Sequence, residues 1–140
     1  MRIAKISPSE WRVLSENAHK IAFDERKPAE WDRIAFALMA IDEKTDTPMQ
    51  YVTCQELDIG TVYLQYGGSF PGTKDTIHSL TAFQGFLTYL KGHYDRVFLK
   101  VKNSNFPMLK LAMKTGFLIV GVRMFDHSIF LEHLLEFERN

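Results

Sequence analysis

The sequence predicts a layered α/β fold with the element order βααβββαβαββ. Three observations carry this reading. Apolar runs with strand-like alternation occur at both ends and in the middle of the chain. Apolar stripes at helical spacing separate them. With 140 residues, the chain has room for one domain whose core needs no disulfide staples. No repeat, low-complexity tract or Pro/Gly-rich linker interrupts it, so residues 1–140 read as a single domain.

Residues 1–6 alternate weakly and make a first strand. Ser7-Pro8-Ser9-Glu10 is a capping box with proline at the first helical position. Trp11, Leu14, Ala18 and Ile21 follow at helical spacing, so a first helix runs to about Phe23, and Lys27-Pro28-Ala29-Glu30-Trp31 opens a second, short one. Residues 34–41, 49–57 and 61–66 are strands joined by the polar turns Thr45-Asp46-Thr47-Pro48 and Asp58-Ile59-Gly60, the pattern of an antiparallel meander. Gly67-Gly68-Ser69-Phe70-Pro71-Gly72 then breaks the periodicity. Ile77, Leu80, Phe83, Phe86, Leu87 and Leu90 form the stripe of a longer helix, which Gly92 ends. Val97, Leu99 and Val101 alternate with Phe98, Lys100 and Lys102 on a further strand. Asn105-Phe106-Pro107 starts the last helix, with Phe106, Leu109 and Met113 inward, Lys110 and Lys114 outward, and Gly116 at its end. Residues 118–125 and 129–137 are the final strands, joined at Asp126-His127-Ser128.

Composition narrows the function. Seventeen basic and seventeen acidic residues cancel, which argues against a nucleic-acid coat or a membrane-surface protein. The balance is uneven along the chain. Residues 1–70 carry eight basic against eleven acidic groups, and residues 71–124 carry eight basic against only Asp75 and Asp95. A basic segment of this kind suits an anionic small molecule. The lone Cys54 excludes an internal disulfide and reads as a strand cysteine, and five scattered histidines lack metal spacing, so no metal is expected. No apolar run approaches about 18 residues and the first residues do not form a signal peptide, which points to a cytoplasmic setting. No G-x-S-x-G, Walker or CxxC motif occurs.

The stretch from Val101 to Phe117 resembles the GCN5-related N-acetyltransferase (GNAT) family, whose pattern there is V-x3-N-x2-A-x3-Y-x3-G-F. Val101, Asn105, Gly116 and Phe117 fall in register, with Met108 at the alanine position and Ala112 at the tyrosine position. The element order resembles the family's along the whole chain. The resemblance implies a mixed, mostly antiparallel sheet with flanking helices, in a compact member of the kind found in phages and bacteria. It also implies acetyl-CoA as co-substrate, a small-molecule or protein amine as acceptor, and direct attack of the amine on the thioester within a ternary complex. A homodimer is left open; no nucleic-acid or membrane partner is expected.

In this family the fourth and fifth strands splay apart, and the pantetheine arm pairs between them. The resemblance thus assigns cofactor contacts to Leu64, Gln65, Tyr66 and Gly67, whose backbone N–H groups polarise the thioester carbonyl. It assigns the pyrophosphate to Gly72, Thr73, Lys74 and Thr76 at the start of the next helix, where unpaired N–H groups and the dipole favour an anion. Asn105 caps the last helix on the cofactor side. This loop departs from the family signature [Q/R]-x2-G-x-[G/A]: Gln65-Tyr66-Gly67-Gly68-Ser69-Phe70 ends in phenylalanine, and Gly72-Thr73-Lys74 holds one glycine. The family's thiolate-protonating tyrosine is replaced by Ala112. Glu56, with Asp58 beside it at a strand end, is the candidate general base, and Tyr66 the candidate proton donor. A GNAT-fold structural or interaction protein with impaired catalysis is the alternative.

Overall fold

The computed structural model describes residues 1–15, 33–70 and 76–138. The sheet contains β1 (Arg2–Ile6), β2 (Phe36–Asp42), β3 (Thr47–Asp58), β4 (Thr61–Ser69), β5 (Arg96–Lys102), β6 (Leu118–Phe125) and β7 (Ser128–Glu136), with helices α1 (Pro8–Leu14), α2 (Thr76–Lys91) and α3 (Phe106–Lys114). The seven strands lie in the order β1-β2-β3-β4-β5-β7-β6. Only β4 and β5 are parallel; every other neighbouring pair is antiparallel. This is the mixed, mostly antiparallel sheet with flanking helices that the sequence predicts. The second predicted helix, at Lys27, lies outside the described residues. No helix among the described residues is long and apolar enough to cross a membrane.

The sheet is covered on both faces, and β2 records this directly. Phe36, Leu38 and Ala40 join one core cluster with Ala82, Phe83, Phe86 and Leu90 of α2, while Ala37, Met39 and Ile41 join a second cluster with Trp11 of α1. Strand alternation sends successive side chains to opposite faces, so a strand buried on both reads as a continuous apolar run. On the α1 face, the Trp11 ring meets Tyr51 at 5.2 Å between centroids, and Tyr51 meets Phe70 at 5.2 Å. Ser7 and Glu10 close the predicted capping box. On the opposite face, Gly85 lets α2 approach β1 closely: a Cβ there would stand 2.9 Å from Ile3 Cδ1.

Three local expectations change. Helix α1 ends at Leu14, with Ser15 as its C-cap, and the predicted continuation to Phe23 lies outside the described residues. Gly67, Gly68 and Ser69 do not break the chain but extend β4, pairing with Val52, Tyr51 and Gln50. A strand held along one edge tolerates glycine because the ladder, not the side chains, fixes it. In α3 the inward face is Met108, Leu109, Leu111 and Ala112, whereas Phe106 and Met113 are exposed. Positions i, i+1, i+3 and i+4 share one side of a helix, and here that side is displaced from the predicted stripe.

Candidate active site

The site is a gap in the sheet. β4 and β5 pair only from Thr61↔Arg96 to Leu64↔Leu99, yet β4 continues to Ser69 and β5 to Lys102. Beyond Leu64, β4 stays with β3, while Lys100, Val101 and Lys102 stay with Glu132, Leu131 and Phe130 of β7. The parting coincides with a bulge. Register on β3 passes from Thr53↔Tyr66 to Cys54↔Leu64, leaving Gln65 as the extra residue. A bulge bends its strand and raises the local twist, which turns β4 away from β5. The buried Thr53 hydroxyl accepts the Tyr66 N–H at 3.0 Å and so supplies the bond that the bulge removes from the ladder. Gln65 is held sideways, its Oε1 accepting from Gln55 Nε2 at 3.0 Å.

The resulting cleft has a volume of about 410 Å³. Leu64, Gln65, Tyr66, Gly67 and Asn105 all line it, so five of the sequence-predicted residues come together. The N–H of Tyr66 points to β3, as does that of Phe70, which bonds Met49 O at 3.0 Å. Strand alternation therefore turns the N–H groups of Gly67 and Ser69 toward the cleft. Asn105 caps α3, its Oδ1 accepting from Met108 N–H at 3.3 Å. Met108 and Leu111 carry the helix side of the cleft. A second groove of about 370 Å³ continues from Asn105, Met108 and Leu111 between α2 and α3, and Lys110 and Lys114 border it.

The remaining expected residues fall elsewhere. Gly72, Thr73 and Lys74 lie outside the described residues, and Thr76 opens α2. Glu56 is not brought to the cleft. It sits opposite Val62 toward the start of β4 and accepts the Tyr94 hydroxyl at 2.7 Å, which, after burial itself, helps hold that phenol protonated. Its position near a strand end placed it among the candidates, but the bulge that opens the cleft lies farther along β4. Ala112 is fully buried in the core and does not line the cleft. Sequence reasoning passed over Lys100 and Lys102 as site residues, although both line the cleft and their alternation with Val97, Leu99 and Val101 was legible. No Asp, Glu, His or Cys among the described residues lines it.

A sheet split between a parallel pair, with the start of α3 beside the split, is the arrangement of the GNAT fold, and solved structures agree. An acetyltransferase of the GNAT family from Streptococcus pneumoniae superposes at TM-score 0.73, with 12% identity over 98% of this chain and 99% of that one. Arabidopsis thaliana NAA60 in complex with acetyl-CoA gives 0.72, with 15% identity over 97% and 100%. The spermidine/spermine N-acetyltransferase SpeG from Vibrio cholerae gives 0.70, with 10% identity over 96% and 93%. The sequence itself matches no protein-family model and no curated protein.

Cys54 tests the packing behind the site. It is fully buried on β3, and desolvation pushes its thiol well above the ordinary range. The unfolded chain then loses this proton above about pH 8.5 while the folded chain keeps it, so stability present below that pH is lost as pH rises. Urea unfolding under reducing conditions is expected to show stability falling by up to about 1.4 kcal/mol per pH unit between about pH 9 and 10. Cys54→Val is expected to flatten that slope.

Proposed function

We propose that this chain is an acetyl-CoA-dependent acetyltransferase acting on an amine. The observation that carries the reading is the cleft between β4 and β5, where a strand edge with the bare positions Gly67 and Gly68 faces a capped helix start. Glycine leaves room for a second backbone-like chain to lie against β4. The amide-bearing pantetheine arm of acetyl-CoA has that shape, and the donors and apolar walls present fit it. When bound, acetyl-CoA supplies the acetyl group and the thiolate leaving group.

The residues of this chain then divide the work. The Gly67 N–H, which alternation turns toward the cleft, polarises the carbonyl under attack, while Leu64, Gln65 and Tyr66 line the arm and the Tyr66 N–H keeps its bond to Thr53. Gly72, Thr73, Lys74 and Thr76, with the start of α2, hold the pyrophosphate, and Asn105 orients α3 beside the arm. Tyr66 gives its proton to the departing thiolate. With no carboxylate among the described cleft residues, the attacking amine releases its proton to water, and Glu56 keeps its bond to Tyr94. Acetyl-CoA and a free thiol such as Cys54 both persist in a cytoplasmic setting, which fits this reading.

If acetyl-CoA binds only the folded state, saturation at about 100 times Kd adds roughly 2.7 kcal/mol. For a domain of this size that raises Tm by about 5–10 °C. Gly67→Val, whose added Cβ meets only ordinary contacts at 3.5 Å or more, is expected to keep the fold and lose that shift. A wild-type melting curve unmoved by millimolar acetyl-CoA overturns the reading. Tyr66→Phe is expected to lower turnover by about 10²-fold or more while leaving the acetyl-CoA shift intact. One observation favours the alternative of a scaffold with impaired catalysis: Ala112 has no phenol to offer, so equal turnover in Tyr66→Phe and wild type, both near background, supports it.

We also propose that the chain forms a homodimer through β6. This edge strand exposes Leu118, Ile119, Val120, Val122, Met124 and Phe125, with Met124 74% accessible. Together these side chains expose on the order of 600–700 Å², against about 800 Å² for one partner of a standard interface. Antiparallel pairing with a second copy, centred between Gly121 and Val122, sets apolar residues against one another and places Arg123 opposite Val120, not opposite its own copy. Sedimentation is expected to report a dimer for wild type and a folded monomer for Val122→Lys; a wild-type monomer at tens of micromolar rules this interface out.

A further inference from the structure

The cleft passes through the sheet, and its two mouths carry different groups. On one face, Val97, Leu99 and Val101 pack into the core beneath α2 and α3. Alternation therefore sends Phe98, Lys100 and Lys102 to the face that α1 covers farther along, where Tyr66 packs beside Tyr51 and Phe70. The cationic groove of Lys110 and Lys114 lies on the helix side, contiguous with the start of α3. Phosphates held at helix starts are neutralised there, and Lys100 and Lys102 stand on the other side of the sheet.

Among the described residues neither lysine forms an ion pair. Lys100 Nζ lies 5.3 Å from the centroid of the Tyr63 ring, a contact that steers the ammonium without cancelling its charge. Glu132 is its direct neighbour in the ladder, but that carboxylate lies over Gly121 and faces Arg123, with Nε–Oε2 at 4.0 Å. Among the described residues neither Lys100 nor Lys102 has a carboxylate partner, and no acidic side chain lines the cleft. Two cations at i and i+2 of one strand, about 6.5 Å apart, bordered by Phe130 and Tyr66, repel a polyamine and attract an anion.

We infer that the acceptor is an anionic amine: a small molecule bearing a carboxylate near the nucleophilic nitrogen, which enters on the α1 face and is held by Lys100 and Lys102. The inference rests on the acetyltransferase reading for its chemistry but not for its binding test. Lysines that hold the carboxylate orient the amine toward the thioester and act through position alone. They determine specificity and exchange no proton with the reactants.

The experiment compares aspartate and spermidine as acceptors, with ethanolamine as the neutral reference. Calorimetry measures their binding to the whole protein, and thiol release measures turnover with acetyl-CoA. Aspartate is expected to bind at least tenfold more tightly than spermidine and to show the lower KM. In Lys100→Glu/Lys102→Glu, aspartate affinity is expected to fall at least tenfold and spermidine affinity to rise, with the acetyl-CoA melting shift unchanged. Spermidine bound as well as or better than aspartate by wild type overturns the inference. So does loss of the acetyl-CoA shift in the folded double variant, since the lysines then serve the cofactor. A wild type that shows no acetyl-CoA shift yet keeps the aspartate preference overturns the acetyltransferase reading and leaves the anion site standing.

Discussion

One displaced residue organises the site. Gln65 is skipped in the β3–β4 ladder, and from that point β4 follows a different course from β5. Both strands remain fully engaged on their outer sides, β4 with β3 and β5 with β7, so the gap between them costs only the ladder bonds along its own length. The bulge itself also removes a bond from the β3–β4 ladder, and the Thr53 hydroxyl replaces it. A buried N–H without a partner costs about 1–3 kcal/mol, so this single side chain is a condition for the opening. The turned N–H groups of β4, the capped start of α3 and the lysines of β5 all border that opening.

The surrounding layers make the opening rigid. Helix α2 presses Phe83 and Phe86 toward it from one face, while Tyr51, Phe70 and Trp11 lock together on the other. Aromatic rings in such contacts combine large buried areas with fixed geometry. The two strand edges are thus held apart by packing on both sides.

The fold was more legible in the sequence than the site. The capping box at Ser7, the proline after Asn105 and the alternation in β5 each express a local rule, and local rules survive without tertiary context. Gly67 and Gly68 misled because glycine weakens an isolated strand, whereas here β3 supplies the bonds that hold them. Phe106 and Met113 misled because any large apolar residue near helical spacing looks internal; the choice between two overlapping stripes belongs to the sheet beneath. The bulge at Gln65 has no signature of its own, since it arises from a one-residue difference between two strands. Glu56 was weighed by its nearness to a turn, and only the register of β3 with β4 reveals how far it stands from the gap.

The order of the strands also bears on how the molecule assembles. From β2 to β4, hydrogen-bonded neighbours follow one another through short connections, and the β3–β4 turn is only two residues long. Leu64 and Leu99, by contrast, must meet across the whole of α2, and β5 then skips β6 to pair with β7. Closing a long loop costs entropy before any contact repays it, and such pairings slow folding. The cleft therefore lies on the seam between the locally wired β2–β4 meander and strands that reach it only through long connections. Until that seam closes, the outer edge of β4 is unpaired along its entire length, and the strand that borders the cleft is the one most exposed to mispairing during synthesis.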